Sequence, residues 1–160
     1  MKRRCEGYFT FLIFLLAMAV PAAPAYAKAN FSGEWKLNVA KSDFGPIPAP
    51  SKRTDKITHE DPKLKSTVSS SNPNGDRTYE LNYSTDGAET SNEIGGNASK
   101  SVAKWEGDAL VIDTKGTFGG GEIQFHDKWT LAQDGKTLTI DRHIKASQGE
   151  IDTRFVFEKQ

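Results

Sequence analysis

Ile123-Gln-Phe-His-Asp-Lys-Trp-Thr-Leu131 runs through Ala132-Gln-Asp-Gly-Lys136 into Thr137-Leu-Thr-Ile-Asp-Arg-His-Ile144. Both arms alternate. Ile123, Phe125, Trp129 and Leu131 share one side of the first arm, and Leu138, Ile140 and Ile144 share one side of the second. A side-chain period of two is the mark of a strand with one dry and one wet face. Asp134-Gly135 between them suits a two-residue type I′ hairpin loop. That loop sets Leu131 against Leu138, Trp129 against Ile140 and Phe125 against Ile144. A three-residue loop would set apolar against polar positions, so the pattern itself selects the register.

The same grammar extends outward in both directions. Turn signals stand at Asp61-Pro62, Pro73-Asn74-Gly75, Asp86-Gly87, Gly95-Gly96-Asn97, Gly107-Asp108, Gly119-Gly120-Gly121 and Gln148-Gly149. Their spacing of about 10 to 14 residues is that of short strands joined by tight turns. Tyr79, Leu81 and Tyr83 alternate with polar neighbours, as do Ile151, Phe155 and Phe157. Around Gly107-Asp108, Glu106 pairs with Ala109, Trp105 with Leu110 and Ala103 with Ile112. Around Asp86-Gly87, Tyr79 is expected opposite Ile94 and Tyr83 opposite Thr90. The glycines at 116 and 119–121 are expected to form a flexible loop at a rim. Val39–Asp43 allows one short helical turn. Residues 44–51, with Pro46, Pro48 and Pro50, cannot be a central strand, because proline lacks the ladder donor. A meander of this kind must pack on a second sheet or close on itself, and closure removes the edges. The expected fold is therefore all-β, an up-and-down antiparallel β-barrel of about 8–10 strands, with a two-sheet sandwich as the alternative.

The register puts two charges on the apolar face. Asp127 falls opposite Arg142, in line with Trp129 and Ile140. Charges there must be paired or meet a ligand, because an isolated buried charge is very costly. Two readings stand. The pair is structural, or Arg142 offers its fork to a ligand's anionic head while Asp127 holds it in place. Tyr79 and Tyr83 on the same face are core residues that double as candidate hydrogen-bond donors to a ligand. His126 and His143 pair across the outer face, but a metal site needs a third ligand and none is evident. His59 has no acid–base partner nearby in sequence.

Before this domain, Lys2, Arg3 and Arg4 precede an apolar run from Phe9 to Val20 and a small-x-small site at Ala25-Tyr26-Ala27. That is the pattern of a cleaved export signal, residues 1–27, with Lys28 as the new N-terminus. The run is shorter than the roughly 20 residues needed to span a bilayer. Residues 28–160 then form one domain, located in the periplasm or outside the cell. Of 21 basic and 21 acidic residues, three and one precede Lys28, which leaves a net charge near −2. Such a balance gives no electrostatic reason for nucleic acid as partner. The one cysteine, Cys5, departs with the signal, so the domain is held by its core alone. No nucleophile elbow, phosphate loop, metal motif or cofactor fingerprint occurs. No catalytic residue is therefore assigned.

Phe31-Ser-Gly-Glu-Trp-Lys-Leu37, at the start of this strand-only domain, resembles the opening of lipocalins and fatty-acid-binding proteins. Ala-Lys-Ser-Asp-Phe-Gly-Pro at 40–46, Ala-Lys-Trp-Glu-Gly-Asp at 103–108 and Asp-Gly-Lys-Thr-Leu-Thr-Ile-Asp-Arg at 134–142 are similar to small, functionally uncharacterised exported bacterial proteins called lipocalin-like. The resemblance implies that Gly33 and Trp35 plug one barrel end and that an arginine, Arg142 or Arg154, covers the indole. It implies that the proline loop caps the mouth. It also implies a small hydrophobic or amphipathic ligand as partner. Against that stand a solid-core interaction module and, as a third reading, an isomerase or cyclase using Asp127 as acid or base and Arg142 as anion stabiliser.

Overall fold

The computed structural model describes residues 28–73 and 75–160. The expected export signal, 1–27, and Asn74 of one expected turn lie outside the described residues. Ten antiparallel strands follow in chain order: β1 Gly33–Leu37, β2 Lys52–Glu60, β3 Lys63–Asn72, β4 Gly75–Ser84, β5 Asp86–Ile94, β6 Asn97–Glu106, β7 Ala109–Phe118, β8 Gly121–Leu131, β9 Thr137–Ala146 and β10 Gly149–Lys159. The sheet order is β4-β3-β2-β1-β10-β9-β8-β7-β6-β5. β1 pairs with both β2 and β10, so the ends of the meander meet and the sheet curls into a nearly closed barrel. A 3-10 turn at Val39–Lys41, capped by the Asn38 side chain on Lys41 N–H, leads into the proline loop.

The register of the opening hairpin is the expected one. Leu131 pairs with Leu138, Trp129 with Ile140, Asp127 with Arg142 and Phe125 with Ile144. The loop type is different. Ala132 N–H donates to Thr137 O and Gly135 N–H to Ala132 O, and only Gly135 has a positive φ. A type I′ loop needs positive φ at both central residues. The loop is therefore four residues, Gln133–Lys136, and it keeps the register because it has the same centre. Gly119-Gly120, expected as a flexible rim loop, is the tight turn instead. Its φ values of 60° and 84° need residues without a Cβ.

The expected pairing of Tyr79 with Ile94 and Tyr83 with Thr90 is not made. β4 and β5 are the two ends of the sheet. Asp86 accepts hydrogen bonds from Ala88 N–H and the Ser84 hydroxyl, and the β5–β6 register shifts between Asp86 and Glu89. The seam is bridged by one side chain. Asn82 N–H donates to Asn92 Oδ1 at 2.7 Å, and Asn92 Nδ2 donates to Asn82 O at 3.0 Å. The buried Asn92 amide thus reproduces one rung of the ladder across the gap.

One end of the barrel is filled with rings. Phe31 stacks on His59 and Trp105 and meets Trp129 edge-on, with centroids 5.7 to 5.9 Å apart. Trp35 is fully buried, and its indole N–H donates to Phe31 O at 2.8 Å. Neither Arg142 nor Arg154 covers its ring. Lys159 Nζ lies 5.3 Å from the Trp35 ring, because β10 pairs with β1 so as to place Lys159 opposite Trp35. Arg154 is on the outer wall, bonded to Asp141 at 2.6 Å. Trp35→Phe would leave the buried Phe31 carbonyl unmet, a loss of about 1–3 kcal/mol. Urea unfolding followed by Trp105 and Trp129 fluorescence should show a lower midpoint at unchanged slope.

His59 gives the plug a pH dependence. Its Nδ1 accepts from Phe31 N–H at 3.3 Å, so that nitrogen carries no proton. Burial, with Lys28 nearby and only partly offset by Asp61, holds its pKa below the ordinary value of 6.5. The unfolded chain therefore takes up the proton first, and stability falls as pH drops below about 6.5. Asp61, held down to about 2 mainly by the Thr85 hydroxyl and Lys28, stays ionised throughout that window. Between about pH 7.5 and 5 the protein should lose denaturant resistance, and His59→Phe should lose less. Equal losses in both would contradict this account.

Candidate functional site

Above the plug the interior turns polar. Asp127, 4% exposed, accepts from both Arg142 Nε and Arg142 Nη2 at 2.6 Å. The expected pair is therefore real and bidentate. Asp127 takes up the Nε–Nη2 edge of the Arg142 fork, which leaves its Nη1 side open.

A second pair stands beside it. Arg53 Nε and Nη2 donate to Asp55 at 2.8 and 2.7 Å, and Asp55 is 2% exposed. The two residues are neighbours on one face of β2, and Asp55 lies opposite Trp35 in the β1–β2 register. The signal was present in Arg53, Asp55, Ile57 and His59, which alternate with Thr54, Lys56 and Thr58. Only Ile57 is apolar there, so hydropathy alone did not reveal which face is dry.

Both guanidiniums converge on Phe155, Arg53 at 5.5 Å and Arg142 at 5.4 Å from its centroid. Arg53 also lies over Phe157 and Arg142 over Phe125. Burial works against the charge on each arginine, but the paired aspartate outweighs it and raises both pKa values. Both therefore stay cationic at any physiological pH. Tyr83 is buried edge-on to Trp129, and burial with the nearby Asp127 charge pushes its phenol pKa up. It remains a neutral donor. Tyr79 is partly buried against the core, opposite Val68.

The polar interior opens toward the proline loop. A pocket of about 500 Å³ is lined by Phe44, Ile47, Pro48 and Pro50 on the loop side and by Arg53, Thr153 and Phe155 on the barrel side. Phe44 meets Phe155 edge-on at 5.6 Å, which fixes the loop over the mouth. Thr153 is 5% exposed, and its hydroxyl makes no hydrogen bond within the described residues. A depression of similar size on the outer wall surrounds His126 and His143. There the two imidazoles bond separately to Asp113 and Asp152, and no metal-binding cluster occurs among the described residues. Its polar lining and the lack of a buried unpartnered group make it the weaker candidate.

No family model and no curated protein matches the chain. Solved structures do. Zebrafish ileal bile acid-binding protein, complexed with cholic acid, is 19% identical with a TM-score of 0.58, over 81% of this chain and 98% of that one. A secretory abundant heat soluble protein of Ramazzottius varieornatus is 14% identical with a TM-score of 0.57, over 83% and 98%. A Schistosoma mansoni fatty acid binding protein, in complex with arachidonic acid, is 13% identical with a TM-score of 0.53, over 81% and 96%. At these identities the likeness shows the fold alone. The chain has the ten-stranded, nearly closed barrel of the fatty-acid-binding and lipocalin-like proteins.

If the Arg142–Asp127 pair is a closed unit, breaking it costs more than removing it. Asp127→Ala should destabilise by about 3 kcal/mol, whereas Asp127→Leu with Arg142→Met should recover most of that loss. Thermal and urea unfolding of the single and the double variant would check it.

Proposed function

We propose that this protein binds a small, partly apolar molecule in the barrel mouth, with its polar head directed at the paired arginines. The observation that carries this reading is Thr153. It is a buried hydroxyl with no partner among the described residues, and it faces the same pocket as Arg53 and the aromatic wall of Phe155. Ligand pockets commonly combine an apolar lining with a few converging polar groups in volumes of this order. In this reading Arg142, which shares the Phe155 ring with Arg53, forms the polar floor together with Asp127, Tyr79 and Tyr83. The fold neighbours solved with cholic acid and arachidonic acid are compatible with it.

The basic start, apolar run and Ala25-Tyr26-Ala27 site support export, with the protein acting as a periplasmic or extracellular carrier. The quoted motifs at 31–37, 40–46, 103–108 and 134–142 support membership of the exported bacterial lipocalin-like group. A second reading, an interaction module, draws on the ring-filled end around Phe31, Trp35 and Trp129. A titration separates the two.

Nile red, an uncharged solvatochromic dye, should bind one-to-one with a blue-shifted emission. Ile47 and Val39 are the two exposed large apolar residues among the described ones, and only Ile47 lines the pocket. Ile47→Asp should weaken dye binding about tenfold. Val39→Asp should leave it unchanged. No binding, or equal effects of the two variants, would favour the interaction module.

A further inference from the structure

We infer that the interior is built for an uncharged polar head, a carbonyl or hydroxyl on an apolar body, and against a free carboxylate. This rests on the binding function proposed above and adds the class of ligand. The two part-buried arginines bring two positive charges, and the buried Asp55 and Asp127 bring two negative ones. The quartet is neutral before any ligand arrives.

A carboxylate entering this space would add an uncompensated charge beside two aspartates that are nearly inaccessible to water. Such a charge is very costly to bury. To pair with an arginine fork it would have to displace an aspartate held by two hydrogen bonds of 2.6 to 2.8 Å. The exposed Arg77 at the mouth end of β4 is screened by solvent and does not alter that balance.

Donors remain for a neutral acceptor. A guanidinium has five N–H groups. Each arginine here gives its Nε and Nη2 to its aspartate, and Nη1 makes no hydrogen bond among the described residues. The Thr153 hydroxyl is also unpartnered. An ester, ketone, amide or alcohol oxygen can accept from these groups without changing the net charge. Its apolar body can lie against Phe155 and Phe44 under the loop.

The test is displacement of Nile red from the purified protein at about pH 8, where a fatty acid is fully ionised, by dodecanoic acid or by methyl dodecanoate. The ester should displace the dye at concentrations at least about tenfold lower than the acid. Asp127→Asn and Asp55→Asn each remove one negative charge at constant shape. Each should shift the preference about tenfold toward the acid, and if one variant fails to fold the other serves. A wild-type preference for the acid, or variants that leave the ratio unchanged, would overturn the inference. If the dye binds and responds to Ile47→Asp but neither compound displaces it, the inference fails while the proposed binding function stands. If the dye does not bind at all, both fail.

Discussion

A barrel interior can hold a charge only if it brings the partner as well, and this molecule does so twice. Asp127 and Arg142 arrive from adjacent strands of one hairpin, and Arg53 and Asp55 from alternate positions of a single strand. The two solutions are independent in sequence yet meet at one ring, Phe155. The rest of the interior is arranged around that meeting. Below it the space is filled by rings and dry. Above it the proline loop and the aromatic wall enclose a pocket that ends on an arginine and an unpartnered hydroxyl.

The division of labour follows from the ends of the chain's own meander. Phe31 precedes β1 and Trp35 lies within it, and His59 on β2, Trp105 on β6 and Trp129 on β8 close around Phe31 to complete the plug. The mouth is left to the loop between β1 and β2, where three prolines prevent a ladder and the chain turns at Phe44–Ile47, with Ile47 N–H donating to Phe44 O. A cation covers the plug, but it is Lys159 rather than an arginine. Both inward arginines are committed to carboxylates.

How much of this could be read beforehand differs from element to element. The hairpin from Ile123 to Ile144 was legible in detail, because large apolar residues alternate on both arms and only one register aligns them. The same register sets Asp127 opposite Arg142. The β4–β5 seam was not legible. Asp86-Gly87 has the composition of a tight hairpin, but Asp86 spends its carboxylate on Ala88 and Ser84, and the Asn92 side chain bridges the strands. Side-chain mimicry of a backbone rung has no sequence signature. Arg53–Asp55 was missed for a different reason. On a strand as polar as Lys52–Glu60, one isoleucine does not identify the buried face, and only pairing with β1 and β3 does.

The central claim is that the paired arginines form the polar end of a binding site rather than a sealed structural core. A crystal structure of the protein soaked with an uncharged apolar ester examines it most directly. The ester is expected in the mouth beneath the proline loop. Its carbonyl oxygen should lie within hydrogen-bond distance of an arginine Nη1 or of Thr153 Oγ1, with both arginine–aspartate pairs intact. An ester found only on the outer wall, or a mouth that stays closed to it at saturating concentration, would contradict the account.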